Sequence, residues 1–520
     1  MSLDSKFPGG LEVSNMVDTD YTDGNTKWIR FAGAQCPICG HRDWCLVNVT
    51  GTKVICMRTP SDDVKKVAGG YLYKLKDGEA VKFDPTSLPK VETVPYANAD
   101  MLDLVNRLVL MAYPLSKKHY QNLVHRGLNE HQIKLRDTRG FGSFYVNPKV
   151  AKEEGAKPFR QARMIPDKKS GKAIIISHWE KVFAKLHLPK NSWQGVPGFY
   201  LNSVTSNGVL QFEEKATGKV FKLEKGKYSF PEFHSPVNGM LIPYYDIYNR
   251  LVGFQTRVDH VLITPKNIKF EGPGTAKVFF EENSNHYTVK VCNKANRYGK
   301  IVYEGEVQSE KPVQLSVGAM KERLTFTPHF GGKYFWVSSS RKRLGAEGKT
   351  PIQVAYNPQI AQLKPGDHQL DEYIAKPKTV WLTEGGLKGI IAADKLAENY
   401  APADLKKWGQ DVLAVAGVSS YRKFFPVLEQ LNVKRVVVAY DMDFQKNDQV
   451  EDHLKELLNS LHEKGYEVYL ALWQHVKGLD DALNSKETIK FRNLFDAAQN
   501  KGLASGEVKP ADLPTMKAIN

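Results

Sequence analysis

Acidic residues are in deficit: 57 Asp and Glu stand against 73 Lys and Arg, a formal net charge of +16 over 520 residues. That balance argues against an acidic, self-solvating protein and favours an anionic partner, nucleic acid first. A generally basic, soluble surface is the plainer alternative. Cysteine is scarce as well, five in all, with four between Cys36 and Cys56. This excludes a secreted disulfide framework; in a reducing compartment such a cluster favours metal. No run of about 18 apolar residues occurs, so no membrane-spanning helix and no membrane partner are expected. The opening MSLDSKFPGG has no apolar leader core, so the expected location is the cytoplasm. A complete P-loop is missing too. GAEGKT, Gly345 to Thr350, has Arg343 where the motif requires glycine, which removes a helicase-type ATPase.

The four clustered cysteines have a geometric reading. Cys36 and Cys39 are spaced C-x2-C, with Pro37 and Gly40 favouring a tight knuckle. Cys45 and Cys56 flank two short strand patterns, WCLVNV and TKVICMR, around Thr50-Gly51. A turn there pairs Val47 with Val54 and, carried outward, sets Cys45 opposite Cys56. Directly opposed side chains have Cβ atoms about 4.5–5.5 Å apart, so both thiolates reach one Zn²⁺ at about 2.3 Å each. A closed four-thiolate site is structural, not catalytic. His41 as a substitute ligand and a Cys45–Cys56 disulfide are the alternatives. Cys292 is alone and reads as a small buried residue.

Along the chain, residues 1–85 read as the metal module and 86–100 as a Pro-rich, polar linker. Residues 101 to about 135 are helical, with a break at Gly127. From Gly140 to about Pro358 the pattern is strand-rich. From Lys378 the texture alternates between strand and helix: TVWLT, GLKGIIAADKLAENY, DVLAVAG, YRKFFPVLEQLN, RVVVAYD, DQVEDHLKELLNSLHEKG and EVYLALW. Such βαβ units build a mostly parallel sheet. Residues 486–520 read as a helix followed by a tail.

Ligands of parallel α/β sheets sit at the carboxyl ends of strands. Glu384 ends the first strand, Asp441 and Asp443 the third, and Asp480 and Asp481 follow the fourth. Three acidic groups thus converge on one sheet edge, a set of hard oxygen ligands suited to Mg²⁺ or Mn²⁺. Helix caps and first-turn acids are the competing explanation for any one of them.

This order of motifs resembles the TOPRIM domain, and other segments resemble the bacterial DnaG-type primases that carry it. The carrying residues are RGLNEHQI from Arg126, MLIPYYDIYNRLVGFQTR from Met240 and GGKYFWVSSS from Gly331, behind an N-terminal cysteine module. The style is closest to primase-like proteins of phages and mobile elements. The resemblance implies a multidomain α/β and α+β chain. Its parts are a zinc ribbon, a mixed primase core over 101–377 with a β-rich insertion at about 266–328, and a TOPRIM Rossmann-like domain over 378–485. It further implies RNA primer synthesis on single-stranded DNA from ribonucleoside triphosphates. Glu384, Asp441, Asp443 and Asp480 would be catalytic, holding Mg²⁺ or Mn²⁺, with Zn²⁺ on the four cysteines.

Arg126, Arg257 and Lys333 by resemblance, and Arg341, Lys342 and Arg343 by charge, would hold template and triphosphates. Tyr334 would stack on a base, and Arg42, Trp44, Lys53 and Arg58 surround the cysteines as a template reader. Two positions depart from the pattern. Lys388 stands where the family carries an acid four residues after the Glu and so joins the basic set, and Gly478 stands where an acid often precedes the last Asp. Two alternatives stay open: a TOPRIM nuclease, and, supported by these departures, a DNA-binding replication factor without strong catalysis. A replicative helicase or a single-strand-binding protein is a candidate partner.

Overall fold

The computed structural model describes residues 16–23, 26–31, 36–38, 45–48, 51–57, 59, 66–67, 70–75, 94–135, 140–214, 217–281, 284–293, 296–319, 321–340, 342–442, 448–496 and 513–519. Cys39, Arg42, Trp44, Arg58, Arg341 and Asp443 lie outside the described residues.

The N-terminal strands form one antiparallel sheet in the order 16–23, 26–31, 46–48, 53–56, 70–74, 66–67. Val47 pairs with Val54 and Leu46 with Ile55, the register expected from the cysteine pattern. Asn48 closes the turn: its side-chain oxygen accepts the Thr52 and Lys53 N–H groups, both at 2.8 Å. The apolar cluster of this module is small, Trp28, Leu46 and Ile55 with Met57 and Leu72 against them.

The helical stretch is three helices, Ala99–Ala112, Lys117–His125 and Glu130–Leu135. Asn98 and Ser116 cap the first two, accepting from Met101 N and His119 N, as short polar side chains do at exposed helix starts. The helices pack on a four-stranded antiparallel sheet ordered 334–336, 251–258, 239–245, 142–144. Its strand Gly239–Tyr245 alternates. Met240, Ile242 and Tyr244 enter one core, while Leu241 and Tyr245 enter a second on the opposite face, the period of two that a sheet buried on both sides demands. Residues 263–330 add two three-stranded sheets around a separate cluster that includes Tyr287, Val289, Leu324 and Phe326.

The largest sheet has seven strands, in the order 353–355, 411–415, 378–384, 433–438, 467–472, 489–492, 515–516. Its four central strands run parallel, and the outer ones are antiparallel. The parallel strands are apolar on both faces: Trp381, Val412 and Val437 face one core, and Val380, Leu382, Leu413, Val436 and Val438 the other. The sheet therefore reaches beyond 378–485 on both sides. The described part of 486–520 holds strands Ile489–Arg492 and Thr515–Met516; residues 497–512, part of the expected helix and tail, lie outside the described residues. The alternation of buried Ile489 and Phe491 with half-buried Lys490 and Arg492 is a strand pattern too short to stand out in the sequence.

Candidate functional site

The first parallel strand, Lys378–Glu384, lies between the second and the third in the sheet. The chain therefore leaves it to one side and then crosses to the other. A crevice opens at such a switch point, outside the carboxyl ends of the strands, and Glu384 and Asp441 stand there. Their ends are tied together. The buried Thr383 hydroxyl donates to the Ala439 carbonyl at 2.9 Å, and Ala439 N donates to the Leu382 carbonyl at 2.8 Å. Helix Gly386–Asn399 starts against the four-stranded sheet, where Gly386 N donates to the Tyr244 hydroxyl at 3.2 Å. A Cβ at 386 would lie 2.5 Å from that oxygen, so only glycine admits the approach.

Asp441, Asp480 and Asp481 at this edge are set among the protein's own cations. Lys388, in the first turn of that helix, hydrogen-bonds and ion-pairs with Asp441 Oδ1, and Lys477 Nζ is 3.7 Å from Asp441 Oδ2. Asp480, 4% exposed, opens helix Leu479–Asn484 and is bonded by Arg126 Nη2 at 2.7 Å. Burial weakens the Arg126 charge, but Asp480 more than restores it and holds the guanidinium above its ordinary pKa. Asp481 lies above the usual carboxylate range. Burial is the largest cause, then Asp480, with Arg126 and Lys388 pulling the other way.

Arg126 and the DDAL segment fit through a glycine. Gly127 has φ +96°, and its missing Cβ leaves room for Asn484, whose Nδ2 donates to the Arg126 carbonyl at 2.9 Å. A Cβ there would sit 2.0 Å from Asn484 Oδ1. Gly127→Ala is expected to cost about 1–3 kcal/mol through overpacking and to loosen the Arg126–Asp480 contact. Urea unfolding of the full chain reads the first effect.

Of the other residues expected to hold nucleic acid, Arg257, Lys333 and Tyr334 come to the same side. Arg257 pairs across the sheet with Tyr334 and donates to Asn122 at 2.8 Å, on the helix that leads to Arg126. Tyr334, 40% exposed, is close enough to Arg126 to act on its charge, and Lys333 is exposed beside it. Lys342 and Arg343 lie elsewhere, along strand Phe199–Ser206: Lys342 Nζ sits 4.2 Å over the Tyr200 ring, and the Arg343 carbonyl accepts Leu201 N. The GAEGKT loop folds on itself. Gly345 N donates to the Lys342 carbonyl and Gly348 N to Ser338 Oγ, so these amides do not cradle phosphate. Lys477, unlike the acids, carries no motif signal; its place beside Asp441 comes from the turn between the fourth strand and helix Leu479–Asn484.

A serine–histidine–aspartate constellation exists away from this edge. His119 is 2.7 Å from Ser143 Oγ and 2.6 Å from Asp259 Oδ1. Ser143 is buried, and its Oγ already accepts Ser116 N at 2.7 Å. It has no access to a substrate, and the group braces the helix against the sheet.

Among the described residues, one group of three or more ligating side chains has its ligand atoms within 4.8 Å of one another: Cys36, Cys45 and Cys56, all buried. Cys45 and Cys56 Sγ are 4.0 Å apart, about twice a disulfide bond. A tetrahedral ion at about 2.3 Å from each sulfur separates them by about 3.8 Å. Met57 N and Thr59 N donate to the Cys45 and Cys56 sulfurs at 3.4 and 3.3 Å, as amides do toward thiolate charge. The donor set fits zinc, with Cys39 the expected fourth ligand. The carboxylate edge suits a hard cation by donor type. A Cβ at Gly478 would meet Asp480 Oδ1 at 2.8 Å, Asp481 Oδ2 at 3.2 Å and Asp441 Oδ1 at 3.8 Å, so glycine leaves a space that three carboxylates face.

No protein-family model matches the chain, and no curated protein matches it. Among solved structures the chain is similar to the zinc-binding and RNA polymerase domains of the Aquifex aeolicus primase. The match has 11% identity and a TM-score of 0.32, covering 93% of this chain and 84% of that one. So weak a likeness carries no functional conclusion of its own.

Proposed function

We propose that the chain synthesises RNA primers on single-stranded DNA, with the parallel-sheet edge as a TOPRIM-type nucleotidyl-transfer site. The observation that carries this reading is the meeting of Asp441 and Asp480 around the space at Gly478, at the switch point of the sheet. Glu384, at the end of the neighbouring strand, completes the acidic set, and Asp443 belongs with it by resemblance.

In this reading Asp441 and Asp480, with Glu384, hold Mg²⁺ or Mn²⁺, which when bound lowers the pKa of an attacking 3′-hydroxyl and offsets the charge of the leaving pyrophosphate. Lys388, Lys477 and Arg126 supply fixed positive charge beside the reacting phosphates. Arg257 and Lys333 extend that charge along the template, and exposed Tyr334 offers a ring for a base. The cysteine module serves as template reader, Lys53 offering a phosphate contact.

The Lys388–Asp441 pair favours a second reading, a replication factor that binds DNA and synthesises little, because an ammonium already sits on a principal carboxylate. Incubation with single-stranded DNA, labelled ribonucleoside triphosphates and Mg²⁺ or Mn²⁺ separates the readings. RNA oligomers that vanish in Asp441→Ala support priming. DNA cleavage without synthesis points to a nuclease, and binding alone to the replication factor.

A further inference from the structure

Helix Ala99–Ala112, residues 157–163 and the junction of strand Lys172–Ser177 with helix His178–Lys185 enclose a cavity of about 440 Å³, within the range of roughly 300–1,000 Å³ for ligand pockets. It belongs to the core of Trp179 and Leu241. The helix that carries Asp480 belongs to the core of Met240 and Tyr244 on the other face of the four-stranded sheet. The cavity is therefore separate from the carboxylate edge.

Its lining is of two kinds. Leu108, Met111, Phe159, Ile176 and Val182 make an apolar interior, with Met111 57% exposed. Lys157, Arg160, Arg163 and Lys181 make an exposed rim. No acid lines the cavity, and among the described residues none of the four rim cations forms a salt bridge. His178, at the same mouth, is held below its ordinary pKa by burial first and then by Arg163, Lys181 and Lys185. An apolar pocket ringed by unpaired cations matches a ligand that joins apolar groups to negative charge.

The rings do not suit stacked bases. Trp179 is fully buried and its indole N–H is bonded to Gln161 Oε1 at 2.7 Å. Phe159 is half-buried, edge-on to Trp179 at 5.5 Å and to Tyr113 at 4.9 Å. Neither Trp179 nor Phe159 offers an open face of the kind single-stranded nucleic acid uses, while the aliphatic interior takes apolar side chains. We infer that this cavity docks an acidic peptide segment of a partner protein, with one or two apolar side chains in the pocket and carboxylates on Lys157, Arg160, Arg163 and Lys181.

The test is fluorescence anisotropy on the full chain. The probe is a labelled decapeptide of aspartate and glutamate carrying one leucine–phenylalanine pair. Expected are saturable binding that weakens with added salt, and a loss of about tenfold or more in the doubly reversed Arg160→Glu, Arg163→Glu chain. Met111→Glu, an exposed change that leaves the core untouched, is expected to weaken it similarly. Equal binding of an all-acidic peptide without the apolar pair would overturn the inference, as would no binding at all. So would a single-stranded oligodeoxynucleotide that binds more tightly than the peptide and is lost in the same reversals.

Discussion

Asp441→Asn is expected to lower RNA synthesis by at least about 100-fold, the scale on which removal of one preorganised charge acts in an active site, while the chain stays folded. The carboxylate has two partners, Lys388 in direct contact and Lys477 at 3.7 Å, and its side chain is 13% exposed. Asparagine keeps its shape and one acceptor oxygen but leaves the Lys388 charge without its counter-ion, so a modest loss of about 1–3 kcal/mol in unfolding free energy accompanies the change. The reciprocal substitution separates chemistry from stability. A unit charge about 4 Å away acts with about 4 kcal/mol at an effective dielectric of about 20, so Lys388 opposes any cation that Asp441 receives. Lys388→Ala is expected to lower the Mg²⁺ or Mn²⁺ concentration for half-maximal synthesis by about tenfold or more. A titration curve that does not move in Lys388→Ala would show that the ammonium does not compete with metal. Synthesis that survives Asp441→Asn would remove this edge from the chemistry altogether.

The acids and the cations of this edge were not equally legible. Glu384, Asp441 and Asp480 each follow an apolar strand run, and a parallel sheet gathers strand ends, so three local patterns predict one edge. Arg126 was visible as part of a motif, yet its bond to Asp480 spans 354 positions and depends on Gly127 and Asn484 fitting together, which no local pattern encodes. Lys388 stood out as a departure from a resemblance, but its contact with Asp441 follows from the pitch of a helix that starts on Tyr244. The outer strands 353–355, 489–492 and 515–516 are two to four residues long. Their place comes from pairing with a sheet already formed, so tertiary contact decides them rather than propensity. Lys342 and Arg343 are basic in the sequence, but charge does not say where a loop lies, and this one runs along strand Phe199–Ser206.

Cys45→Ser is expected to empty the thiolate site and unfold the module around it. Among the described residues its core is small, with Trp28, Ile29, Leu46, Val47, Val54 and Ile55 the buried apolar side chains beside the cysteines, the size of core that small domains supplement with a metal or cross-link. Structural zinc contributes about 10–16 kcal/mol in small domains. One ligand's share, about 3 kcal/mol, corresponds to a loss of about 100-fold in affinity or more. Serine offers a shorter, harder and less acidic donor, and Met57 N–H loses the sulfur it points at. Zinc retained against a competing chelator that leaves the parent chain loaded is expected to fall from one per chain to near zero, with a low-temperature unfolding step lost from the thermal profile. Acid should release metal from the parent chain as well, because the thiolates must be deprotonated to bind. The functional consequence divides the reading of the module in two. If it selects template, Cys45→Ser abolishes initiation on single-stranded DNA while extension of a pre-annealed primer continues, since the carboxylate edge belongs to a different core. Normal initiation by a zinc-free chain would reduce the module to a structural clip. Loss of both initiation and extension would mean that it supports the sheet edge directly; the Arg30–Glu347 contact at 2.7 Å, which ties the module to the rest of the chain, is an exposed pair too weak to do so alone.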